Sequence, residues 1–116
     1  MSWDKKERRQ FVRACFPCKL SVHPCDKNAI HTQTENISAG GIRVFIARRL
    51  KPASIVTVTI YKIKKDPIIC QGRIIWVFSR KHPENEEQVL FDTGIEFHQI
   101  TEETAFEIKN IIESLS

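Results

Sequence analysis

Two short segments carry the residues best suited to chemistry. Arg8-Arg9-Gln10-Phe11-Val12-Arg13 clusters guanidinium groups on a segment with little regular patterning. Asn36-Ile37-Ser38-Ala39-Gly40-Gly41 is a small polar turn between two apolar stretches. An arginine fork donates two parallel hydrogen bonds, and both a phosphate and the O6/N7 edge of guanine accept in that geometry. Its flat face also stacks on a base. The turn offers a side-chain amide, a hydroxyl and backbone amides, and paired glycines permit positive φ and close backbone approach. Together the two segments suit an anion that also carries flat, hydrogen-bonding heterocycles. A guanine nucleotide meets both requirements.

Each segment taken singly has a plainer account. An isolated Arg-x-x-x-Arg is most often a solvated basic arm, and Asn and Ser close turns by bonding their own backbone. Arg43, just after the turn, could face a ligand, but a solvated strand arginine is the favoured reading because arginine is seldom buried. Trp76 could border the same site, yet its apolar surroundings favour a role in barrel packing. No Ser/His/acid or Cys/His set is evident, and the carboxylates mostly fall in a polar insert and a helix start. The sequence therefore gives no case for an enzyme.

The elements that must position these residues are short. At 116 residues the chain is expected to be one domain with a single core. Residues 1–12 are charged and read as a flexible arm. Ala14 to Val22, broken by Pro17, reads as an irregular first strand, and Thr-rich Ile30 to Glu35 as a second. Ile42 to Ile46 forms a third, and Ile55 to Ile63 alternates Val56, Val58 and Ile60 against Thr57, Thr59 and Tyr61. Lys64-Lys65-Asp66-Pro67 reads as a turn before a long strand from Ile68 to Phe78, with a bulge or bend expected at Gly72. Arg80 to Gln88 reads as a loop, and Val89 to His98 as a sixth strand. The period then changes: Thr101 is a plausible N-cap, and Phe106, Ile108, Ile111, Ile112 and Leu115 follow helical spacing over 101–115. The expected fold is all-β with a C-terminal helix, a closed or nearly closed six-stranded antiparallel barrel occupying residues 13–116.

Composition narrows the partners. A net charge of +4 with interspersed signs suits a small anionic ligand better than a long polyanion, so nucleic acid is disfavoured. No apolar stretch nears the ~20 residues of a membrane span, and the charged N-terminus lacks a secretory apolar region. The expected setting is the cytoplasm, with no membrane. The four cysteines, Cys15, Cys18, Cys25 and Cys70, raise a metal reading through the Cys15-Phe-Pro-Cys18 spacing and nearby His23 and His31. A second closely spaced pair is missing, and strand residues three apart face opposite ways, so structural thiols are expected and no metal.

With the pieces in order, the sequence resembles a PilZ domain, the bacterial receptor module for cyclic di-GMP. The resemblance rests on Arg9-Gln-Phe-Val-Arg13 before the first strand and Asn36-Ile-Ser38-Ala-Gly-Gly41 at a strand turn. Gly72-Arg-Ile-Ile-Trp76 and Thr93-Gly94-Ile95-Glu96-Phe97 add to it, and the likeness runs from about Glu7 to Leu115. It implies a split-barrel type of PilZ fold and a ligand set of Arg8, Arg9, Arg13, Asn36, Ser38, Gly40 and Gly41, with Arg43 as a further candidate. Arg9 and Arg13 would clamp phosphates and guanine edges as the arm folds over. Asn36 and Ser38 would bond the second guanine, and the glycines would let the turn approach. Arg8 is the kind of residue that accompanies two stacked ligand molecules in this family. Cyclic di-GMP would be the ligand with no other cofactor. A protein partner in motility, exopolysaccharide or adhesion control would read the state of a monomer or homodimer. The alternatives are a ligand-free adaptor of the PilZ type and a small barrel binding single-stranded nucleic acid.

Overall fold

The computed structural model describes residues 18–25, 27–62, 65–82, 84–85 and 87–115. Its strands are β1 (Cys18–Pro24), β2 (Ile30–Ile37), β3 (Gly41–Ile46), β4 (Ile55–Lys62), β5 (Lys65–Lys81) and β6 (Val89–His98), followed by α1 (Glu102–Leu115). All neighbouring strands are antiparallel, and they close into a barrel in the order β1-β2-β3-β6-β5-β4. Closure between β1 and β4 leaves no open edge along the sheet. The expected six-stranded barrel with a C-terminal helix is therefore the fold. The expected arm, residues 1–12, and the Ala14–Pro17 start of the first strand lie outside the described residues.

Period-two alternation builds the interior. Leu20, Val22, Val44, Val58, Ile60, Ile74 and Ile95 point inward and are essentially inaccessible to solvent. Burial of this aliphatic set is the main force closing the barrel, at about 25 cal/mol per Å2 removed from water. Ile108, Ile111 and Ile112 add one face of α1 to the same cluster. The Thr104 amide donates to Thr101 Oγ1 at 3.1 Å, so Thr101 caps the helix as expected. On the helix side, Lys62 Nζ lies 3.3 Å from Glu107 Oε2.

Several boundaries differ from the sequence reading. Strand β2 runs on through Asn36 and Ile37, which pair with Arg43 and Ile42, so the turn proper shrinks to Ser38–Gly40. Strand β5 is longer at both ends, taking in Lys65, Asp66 and Pro67 as well as Arg80 and Lys81. Pro67 is tolerated there because it sits at a register irregularity between Ile60 and Lys62 of β4, where its missing N–H breaks no regular ladder. The expected bulge at Gly72 is absent: Gly72 pairs regularly with Val56 and Phe97. Its lack of a side chain serves close packing, since a Cβ there would run into Ile95 and Val58 inside the barrel. The register shift on β5 falls instead between Ile74 and Trp76. Ile74 is pinned beside it, donating to Ser54 O at 2.9 Å and accepting from the Ala53 amide at 2.7 Å.

Candidate functional site

That shift on β5 shapes the outer surface next to the polar turn. Trp76 lies opposite Gly94 on β6, and a Cβ on Gly94 would collide with the indole ring. Only glycine leaves room for the ring to lie flat across the strand. On its other side Gly94 pairs with Arg43 of β3, which brings the guanidinium toward the same patch. Asp92, two residues back on that face of β6, lies diagonally within reach of a long side chain. A cleft of about 590 Å3 results, bounded by Asn36, Ser38, Gly40 and Gly41 on one side and by Ile75, Trp76, Phe78 and Arg80 on the other. Arg43, Asp92 and Gly94 are among the residues between them.

The floor of this cleft is electrostatically defined. Asp92 is fully buried, and Arg43 holds it in a two-point clasp, Nε to Oδ1 at 2.9 Å and Nη2 to Oδ2 at 2.7 Å. Arg80 Nε stands 3.5 Å from the same Oδ2. The Arg43 hydrogen bond holds the Asp92 carboxyl below its ordinary range, although burial alone would push it up. The arginines also engage aromatic faces: Arg43 lies 5.3 Å from the Phe45 ring centroid and 5.9 Å from that of Trp76. Arg80 lies 5.8 Å from Phe78, whose ring stacks on Trp76 at 5.5 Å and 27°. With Glu96 also on the lining, two arginines face two carboxylates and the charges of the lining balance, beside a partly exposed aromatic wall.

The turn is rigidly tied to this floor. Ser38 N donates to Gly41 O at 2.9 Å, and Ser38 Oγ accepts from Gly40 N at 3.3 Å. Gly40 O in turn accepts from Phe97 N at 2.9 Å, joining the turn to β6. Upstream, a register shift between Thr34 and Asn36 is stapled by the buried Thr34 hydroxyl, which accepts from Asn36 N at 3.1 Å and lies 2.8 Å from Asn36 O. Neither glycine of the pair uses the positive φ that glycine permits. Close approach is the reason at Gly41, where a Cβ would strike the carbonyl of Ile95. Gly40 has open space around it.

Of the residues singled out from sequence, Asn36, Ser38, Gly40, Gly41 and Arg43 meet at this cleft. Arg8, Arg9 and Arg13 lie outside the described residues. Two readings are corrected. Arg43 is not simply a solvated strand arginine, because it is clamped to a buried carboxylate, and Trp76 borders the cleft rather than packing inside the barrel. Asp92, Phe78 and Arg80 were missed. An acidic residue amid the apolar alternation of β6 was the available signal, but its arginine partners come from other strands. Among the cysteines, Cys18 is buried as expected, Cys25 is exposed, and burial pushes the Cys70 thiol up to about 11. Among the described residues no cluster of His, Cys, Asp and Glu could hold a metal ion, and no helix is long and apolar enough to cross a membrane.

Comparison with known proteins specifies the class of this barrel. The PilZ domain family model matches residues 7–114, and the chain belongs to that family. Among solved structures it is similar to the PilZ domain of YcgR from Escherichia coli, determined with c-di-GMP (TM-score 0.74, 17% identity, covering 94% of this chain and 92% of that one). It also matches the Bacillus subtilis inhibitor of motility MotI/DgrA (TM-score 0.69, 21% identity, covering 94% of this chain and 51% of that one). A third is MrkH of K. pneumonia in its apo state (TM-score 0.74, 12% identity, covering 98% of this chain and 53% of that one). The chain thus spans about half the length of MotI/DgrA and MrkH. No curated protein sequence matches it significantly.

Proposed function

We propose that this chain is a cytoplasmic, non-enzymatic receptor for cyclic di-GMP. The observation that carries the reading is the cleft itself: the Asn36-to-Gly41 turn faces an Arg43–Asp92–Arg80 floor, where Arg80 stays half exposed, and a Trp76–Phe78 wall. Guanine needs stacking surface and hydrogen-bond groups, and the phosphodiester needs cations; both lie within one cleft of about 590 Å3. In this reading Arg8 and Arg9 of the arm, residues 1–12, close over the ligand together with Arg13. Asn36 and Ser38 take one guanine. Ordering of the arm on residues 13–116 then presents a new surface to a protein partner in motility, exopolysaccharide or adhesion control. The YcgR PilZ domain, determined with c-di-GMP, supports the choice of ligand.

One observation favours the second reading, a barrel for single-stranded nucleic acid. Phe78 is 54% exposed and stacks on Trp76 along one strand beside Arg80, as a base-stacking platform would. A melting experiment separates the two. Cyclic di-GMP at about 100 times its Kd is expected to raise Tm by roughly 10 °C, while a single-stranded oligonucleotide leaves it unchanged. The reverse pattern selects the nucleic-acid reading, and no shift with either selects a ligand-free adaptor.

A further inference from the structure

Arg80 sits where β5 overruns its expected end, and its contacts give it a task. Asp92 is inaccessible to solvent, yet its two oxygens serve two arginines from different strands. Arg43 alone provides the two-point clasp that a buried carboxylate requires. Arg80 is therefore surplus to the neutralisation of Asp92. It approaches only through Nε, at 3.5 Å, beyond the distance of a strong charge-assisted bond. Its side chain is 56% exposed, and the ring of Phe78 lies 5.8 Å from its guanidinium carbon. Among the described residues its Nη groups donate no hydrogen bond. A cation positioned from one side by a buried anion and an aromatic ring, but left half in solvent at a cleft, is preorganised for an incoming anion.

We propose that Arg80 is a ligand contact of this cleft, a fixed cation that takes a phosphodiester oxygen of the bound cyclic dinucleotide. The inference rests on the cyclic di-GMP reading above. It adds a barrel-borne phosphate contact to the arginines of the arm, so part of the anion site exists before the arm engages.

The test compares cyclic di-GMP titrations of the wild-type chain, Arg80→Gln and Arg80→Lys, each with its ligand-free Tm. Because Arg43 keeps Asp92 neutralised, both variants are expected to fold with Tm close to wild type. Arg80→Gln is expected to weaken binding at least about tenfold, the order of one charge-assisted hydrogen bond. Arg80→Lys is expected to recover most of that loss, since a phosphate accepts a point charge as well as a fork. Wild-type binding matched within about twofold by Arg80→Gln overturns the assignment and leaves the receptor reading intact. Equal losses in both variants also overturn it, because a point charge would then not be what the ligand uses. Absence of any wild-type binding overturns the receptor reading and this inference with it.

Discussion

Replacing either Arg9 or Arg13 with alanine is expected to lower affinity for cyclic di-GMP by about 100-fold or more, measured by calorimetry. The described part of the cleft offers few donors for such a ligand. Arg43 is committed to Asp92 through two hydrogen bonds, and the turn contributes one amide, one hydroxyl and backbone groups. A ligand with two phosphates and two guanines presents more acceptors than these groups and Arg80 can satisfy. Each bidentate arginine contact to a phosphate or a guanine edge is worth about 1.5–3 kcal/mol. Losing one also leaves its acceptor in a partly desolvated cleft, which moves the cost to the upper end. Affinity retained within about threefold in both variants would remove the arm from the site.

The largest effect on stability is expected from Arg43→Ala, and it should depend on pH. Removing one partner of a buried ion pair strands the other charge, at about 3–5 kcal/mol for a fully buried pair. Arg43 is 45% exposed and Arg80 remains 3.5 Å from the carboxylate, so a loss of about 2–4 kcal/mol at neutral pH is the discounted expectation. In the wild type the Asp92 carboxyl lies below its ordinary range, chiefly through the Arg43 bond. A depressed carboxyl contributes stability above its unfolded value of about 3.9, and that contribution disappears as pH falls through the folded value. Without Arg43, burial instead favours the protonated acid. The gap between wild type and variant in urea unfolding should therefore be widest near neutrality and close as pH drops below about 4. A gap that stays constant down to pH 3 would show that Asp92 charge has no part in it.

How far the sequence led depends on the range of the interaction. The barrel was legible because Val56, Val58 and Ile60 or Val44 and Ile46 declare a buried face by alternation alone. The helix was legible through its changed period and the Thr101 cap. The turn residues could be found because Asn, Ser and paired Gly are local signals. Asp92 was not legible as a site residue, since its meaning comes from Arg43 and Arg80 on two other strands. Trp76 was misplaced for a related reason. Apolar neighbours suggested packing, but a register shift at Ile75 and the missing side chain at Gly94 turn the ring onto the outer face. Gly72 looked like the bend because glycine marks both bends and close contacts, and here it marks a contact with Ile95 and Val58.

The claim that most of this depends on is binding of cyclic di-GMP at the cleft, and isothermal calorimetry on the wild-type chain tests it most directly. The account predicts a saturable exothermic isotherm that approaches two ligands per chain, the stacked arrangement expected if Arg8 acts as the family resemblance proposes. Saturation at one would reassign Arg8 and leave the cleft in place. A flat titration with ligand raised to about 1 mM, where binding is worth only about 4 kcal/mol, would contradict the account at its centre.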